Sequence, residues 1–218
     1  MTYEEIRRDE EIHTYIERAD AALCAIGYTE HSQAHVCRVA EEAGRILSCL
    51  GYTEHEVELV KIAGYLHDIG NVVNRHNHCQ SGALMAFSLL HDRGFDARDI
   101  ADIMTAIGNH DESAGTPVSP IAAALILADK SDVRRSRVRN TDHIRFDIHD
   151  RVNYSVEKST LLINEEKTQL TLELIIDATI GSVSDYFEIF LERMLLCRHA
   201  AEYLGLKFRL TMNDQVLM

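Results

Sequence analysis

A chain of 218 residues, 46% hydrophobic and 26% charged, is long enough to bury a core without staples and too apolar for a disordered segment. Its formal net charge of -13 opposes binding along a polyanionic backbone, so no nucleic-acid polymer is expected as a partner. No apolar run approaches the ~20 residues that span a bilayer, the charged N-terminus lacks a signal-peptide core, and five cysteines without a CxxC pair suggest reduced thiols; a cytoplasmic protein away from membranes is expected.

Up to about residue 140 the apolar residues recur at intervals of three and four, the helical period. A helix is predicted from Thr29 or Ser32 to Leu50, with Val36, Val39, Ala43, Ile46 and Leu50 on one side and Gly51 as its stop. Thr53 and Glu56 have capping-box spacing, so the next helix starts there; it carries Val57, Val60, Ile62, Ala63 and Tyr65 and is predicted to end near Gly70 as a C-cap. Further helices are expected over about Ser81 to His91 and from Asp96 through Ile107. Residues 113–120 read as a loop, after which Ser119 caps a helix that starts at Pro120 and runs through IAAALILADKSDVRR. The pentapeptide GYTEH occurs at 27–31 and 51–55, each time as a connector between helices.

Beyond about residue 150 the period changes to two. Val152, Tyr154 and Val156, then Leu170, Leu172, Leu174 and Ile176, predict a β-hairpin around NEEK (164–167). Ser182 and Asp185 open a long helix with Phe187, Phe190, Leu191, Met194 and Leu195, stopped by Gly205; Leu206, Phe208, Leu210 and Met212 read as a last strand. The expected architecture is therefore mostly α, with a helical domain over 1–145 and a small β-β-α-β domain over 146–218.

His35, His67, Asp68, His78, His110 and Asp129 stand at helix ends or on helices otherwise committed to packing. His67 and Asp68 close the apolar IAGYLHDIG, and Asp129 follows AALILA. A carboxylate set in such surroundings must be paired or must hold a metal. Imidazole and carboxylate donors together suit Mn, Fe, Co, Ni, Zn or Mg without selecting one.

These residues resemble the HD-domain superfamily of metal-dependent phosphohydrolases. The match runs through AHVCRVAEEA (34–43), AGYLHDIGN (63–71) and ALILADKSDVR (124–134), with HNHCQSGA (76–83) and AIGNHDE (106–112) similar to the two intermediate His elements. The resemblance implies an HD-type helical bundle in which His35, His67, Asp68 and Asp129 hold a divalent metal that activates water against a phosphorus atom. In two-metal members Asp68 would bridge, and His78 and His110 would hold the second ion; His76 competes with His78 for that place. Asp68, Lys130 and Asp111 are the expected catalytic groups, with Glu112 a further carboxylate near His110. Lys130, Arg134 and Arg135 are expected on the phosphate, although the RRSRVR run (134–139) also reads as a solvated helix face.

The expected substrate is a nucleotide or another small phosphate ester. Two alternatives keep the same site: a di-iron oxygenase, and a non-catalytic nucleotide-sensing module whose tail transmits the signal or dimerises. His31, His55, His91, His143, His149 and His199 are expected in solvent.

Overall fold

A computed structural model describes residues 1–139 and 148–218; His143 and the expected boundary between 145 and 146 lie outside the described residues. The helices are α1 (Tyr3–Arg7), α2 (Glu10–Ala25), α3 (Gln33–Leu50), α4 (Glu54–Leu66), α5 (His78–Asp92), α6 (Ala97–Gly108), α7 (Pro120–Ser131), α8 (Ile148–Ser155) and α9 (Val183–Tyr203). The strands are β1 (Val156–Ile163), β2 (Gln169–Ile176), β3 (Lys207–Met212) and β4 (Gln215–Val216).

Local chemistry sets most of the boundaries. Ser32 caps α3, Thr53 and Glu56 form a capping box on α4, and Ser182 and Asp185 form another on α9. Pro120 takes the first position of α7 behind the Ser119 cap. Helix α7 is the centre of the body: Ile121 through Ala128 are all buried, and α3, α4, α6 and α9 pack around it. A helix apolar on every side has no solvent face to offer, so it goes to the middle.

Two glycines set the approach of the elements that carry the site. A Cβ on Gly64 of α4 would lie 2.8 Å from Ala40 Cα of α3, so these helices cross backbone to backbone. Gly70 lies in a 3-10 turn (Ile69–Val72), where a Cβ would strike the His78 carbonyl and the Gly82 amide of α5. The predicted C-cap role for Gly70 is therefore corrected: α4 stops at Leu66, and Gly70 is a packing glycine.

Three further expectations change. Helix α5 begins at His78 rather than near Ser81, because Asn77 turns the chain with φ 58° and the Ser81 hydroxyl bonds the carbonyls of Gly70, Asn77 and His78 instead of capping. Helix α7 stops at Ser131, so residues 132–134 are not helical and Arg135 opens a separate 3-10 turn (Arg135–Arg137). Val152 and Tyr154 belong to α8, not to a strand; Val152 and Val156 are four apart and both buried, a spacing that fits either period in so short a run.

The sheet order is β1-β2-β3-β4. Strands β1 and β2 form the antiparallel hairpin, pairing Leu161 with Leu172. Helix α9 returns the chain so that β3 lies parallel to β2, with Leu172 opposite Leu210 and Leu170 opposite Phe208. β4 adds a two-residue antiparallel edge that the periodicity did not predict. The buried sheet face and the buried face of α9 join the helical core in one continuous apolar cluster.

Candidate metal centre

Six side chains come from five places on the body. His35 is in the first turn of α3, His67 and Asp68 follow α4, His78 opens α5, His110 follows α6, and Asp129 is in the last turn of α7. All but Asp129 are fully buried residues, and its side chain is only 11% exposed. The structure brings all six together. His35 Nε2 lies 3.3 Å from Asp129 Oδ1 and 3.6 Å from Asp68 Oδ2. His67 Nε2 lies 3.2 Å from Asp68 Oδ2 and 3.6 Å from Asp129 Oδ1. His78 Nε2 is 3.4 Å from Asp68 Oδ1 and 3.2 Å from His110 Nε2. His76 is exposed and outside the cluster.

The opposite ring nitrogen of each imidazole faces an acceptor. Nδ1 meets Asp132 Oδ2 in His35, the Gly64 carbonyl in His67, the Arg75 carbonyl in His78 and the Ile107 carbonyl in His110, at 2.8, 2.7, 3.1 and 2.7 Å. A carbonyl has no proton to give, so Nδ1 must donate, and in the neutral ring Nε2 is then a lone pair aimed at the centre. The Nε2 atoms of His35 and His67 are buried without a hydrogen-bond partner. Converging lone pairs and carboxylates repel one another in a dry site, and a divalent cation is the group that resolves this. Two ligand triads meet the spacing for an ion, His35-His67-Asp129 and His67-Asp68-His110.

Without a cation, protons take part of that role. Burial opposes charging His67, but Asp68 and Asp129 outweigh it and hold the ring up at about 10. Burial lowers His110 to about 3, helped by His67 and Lys130. Burial likewise opposes the charge on Asp68 and Asp129, yet their cationic neighbours keep both carboxyls well below the usual range, His67 foremost for the first and Lys130 for the second.

Outer contacts hold the ligands in place. Asn71 donates to Asp68 Oδ1 at 2.9 Å. Asp132, which the sequence reading passed over, takes His35 on one side and Arg38 and Arg134 on the other at 3.0 and 2.6 Å. It lies three residues past Asp129 in the motif string, which is the signal that could have pointed to it.

Beside the centre lies a cavity of about 430 Å³, walled by the 26–31 connector, the ends of the ligand helices, α8 and α9. Lys130 is buried there between Asp129 Oδ2 at 2.8 Å and Glu112 Oε2 at 2.7 Å, which together raise its pKa despite burial. Glu112 lines the cavity, whereas Asp111 accepts from Ser113 and does not.

Arg134 and Arg135 do not line the cavity: Arg134 is bound to Asp132, and Arg135 donates to the Tyr154 carbonyl. Arg75, Arg137 and Arg193 line it instead. The RRSRVR run is no wet helix face, since Arg137 is buried with Nε on the Glu30 carbonyl and Nη1 on the Asp132 carbonyl. His31 is also corrected. It lines the cavity edge-on to His35 at 5.5 Å between ring centroids, with Nδ1 at 2.7 Å from the Thr29 carbonyl. Its spacing of four from His35 was the legible hint. His55, His91 and His199 are exposed as expected; His149 is exposed at the cavity wall.

No helix among the described residues is long and apolar enough to cross a membrane. Residues 33–134 match the HD domain family model. An uncharacterized protein of Methanocaldococcus jannaschii is 24% identical over 205 residues, covering 83% of this chain and 78% of its own. The crystal structure of a predicted HD superfamily hydrolase from an uncultured Thermotogales bacterium is similar at 28% identity and a TM-score of 0.46, over 57% of this chain and 67% of that one. Residues 33–134 are thus identified as an HD domain, and the His/Asp cluster within them could hold a metal ion.

Proposed function

We propose that the protein is a metal-dependent phosphohydrolase of a small phosphate ester, with a nucleotide as the first class to test. The observation that carries this reading is the convergence of four imidazole Nε2 atoms and two carboxylates at the floor of a cavity sized for a metabolite, with Lys130 and three arginines around it. His35, His67, Asp68 and Asp129 are the groups that would hold the cation, with His78 and His110 beside Asp68 for a second. A divalent ion held by such donors brings the pKa of a coordinated water toward about 7 and polarises a phosphoryl oxygen.

The chain's own groups do the rest. Asp132 and the Gly64 carbonyl fix which nitrogen of His35 and His67 faces the centre. Asn71 sets the rotation of the Asp68 carboxylate. Lys130, held by Asp129 and Glu112, presents a fixed positive charge beside the phosphoryl position. The net charge of -13 argues for a small substrate rather than a polymer.

The test is a screen of nucleotides and other phosphorylated metabolites against Mn, Fe, Co, Ni, Zn and Mg, reading phosphate release. Metal-dependent turnover that is abolished in Asp68→Ala supports the reading. Turnover in that variant equal to the parent, or oxygen uptake in place of phosphate release, rejects it.

A further inference from the structure

We propose that Arg193, on the C-terminal helix α9, clamps an anionic oxygen of the substrate, so that the β-β-α-β part of the chain completes the active site. The identity of the anion as phosphate rests on the phosphohydrolase reading; the presence of an open cationic fork at the cavity does not. Arg193 lies outside the 33–134 HD match, so the family resemblance does not supply it.

The Arg193 guanidinium is only partly satisfied. Nη2 stands 3.4 Å from Glu112 Oε1, a loose contact beside the 2.7 Å that Lys130 makes to the other oxygen of the same carboxylate. Nε of Arg193 is buried and has no hydrogen-bond partner. A buried N–H without an acceptor is destabilising, so its persistence calls for an acceptor that arrives later. Nε and Nη2 form one edge of the guanidinium plane, the edge that grips a phosphate or carboxylate through two parallel hydrogen bonds.

Packing aims that edge. The guanidinium lies over the Phe190 ring at 4.3 Å, and Phe190 and Arg193 both line the cavity. The two buried cations there are committed: Lys130 sits between two carboxylates, and Arg137 donates to two backbone carbonyls. Arg193 therefore combines position in the cavity, a fixed plane and an unfilled donor. An arriving anion would take Nε and compete with Glu112 for Nη2.

The competition separates a clamp from a strut. The full-length, metal-loaded protein is titrated with inorganic phosphate by calorimetry, with metal content measured in each variant. Arg193→Met keeps the stem over Phe190 and drops the charge; it is expected to weaken phosphate by about tenfold or more with metal content unchanged. Arg193→Lys recovers part of that loss. Glu112→Gln removes the competitor and is expected to tighten phosphate.

Unchanged binding in Arg193→Met, equal weakening in both Arg193→Met and Glu112→Gln, or no phosphate binding by the parent overturns the clamp. If Arg193→Met does not fold, the Lys and Gln variants still decide by their opposite signs. With p-nitrophenyl phosphate as probe, Arg193→Met should raise KM more than it lowers kcat. Weakened phosphate binding in Arg193→Met, when the parent binds phosphate but hydrolyses no ester, would sink the enzymatic reading and leave the clamp; ester hydrolysis by the parent with phosphate binding unchanged in Arg193→Met would do the reverse.

Discussion

His35 Nδ1 and Asp132 Oδ2 are 2.8 Å apart in a fully buried contact, and this pair decides how the first ligand of the centre faces its metal. The same carboxylate is held by Arg38 and Arg134, so it cannot follow the ring if the ring turns. Burial opposes its charge, but His35 and the neighbouring arginines keep Asp132 ionised well below the usual carboxylate range.

Asp132→Ala should therefore weaken the metal without removing a ligand. Loss of such an outer partner costs roughly 10- to 100-fold in affinity. Competition against a metallochromic chelator measures it, with the far-ultraviolet spectrum as the control for folding. Parent-like affinity would show that His35 needs no help to face the centre.

Gly64→Ala should destabilise the protein and loosen the metal together. The added methyl meets the backbone of Ala40 at 2.8 Å, and backbone cannot swing aside as a lysine end can. Overpacking of this kind costs roughly 1–3 kcal/mol and pushes α3 from α4, separating His35 from His67. Thermal melting and metal titration of the one variant read both effects. A normal melt with normal metal binding would contradict the close crossing.

Removing the metal with EDTA should lower Tm, and returning Mn should restore it. An ion at 100 times its Kd contributes about 2.7 kcal/mol by mass action, which in a chain of this size is roughly 5–10 °C. The Asp68→Ala variant should show no such response. Equal melts with and without chelator in the parent would argue that nothing binds the cluster.

Cys197 offers a pH readout on α9. It is buried on α9, and burial pushes its thiol from 9.0 up to about 12. The folded state keeps that proton where the unfolded chain releases it, so this contribution to stability is complete below pH 9 and fades as pH rises toward 12. At pH 8 iodoacetamide should label exposed Cys24 in the native protein and spare Cys197, with all five cysteines labelled after unfolding. Native labelling of Cys197 at pH 8 would show that α9 opens readily.

Much was legible before any fold was known, for a local reason. The caps at Ser32, Thr53, Ser119 and Ser182 act within one helical turn, so neighbouring residues alone specify them. Carboxylates at the ends of apolar runs, Asp68 and Asp129, announce a buried charge because their cost is written into the surrounding residues. The string 152–156 failed by the same logic, because five residues do not separate a period of two from one of four.

By itself the sequence determined the capped starts of α3, α4, α6, α7 and α9, the apolar run of α7 and the residue types that could meet a metal. Tertiary structure alone decided that Asp132 braces His35, that Glu112 rather than Asp111 faces the cavity, and that Arg193 arrives from α9 while Arg134 and Arg135 turn away. These are contacts between segments far apart in the chain. Their energies depend on which backbones can approach, at Gly64 against Ala40 and Gly70 against α5, and no local pattern records that.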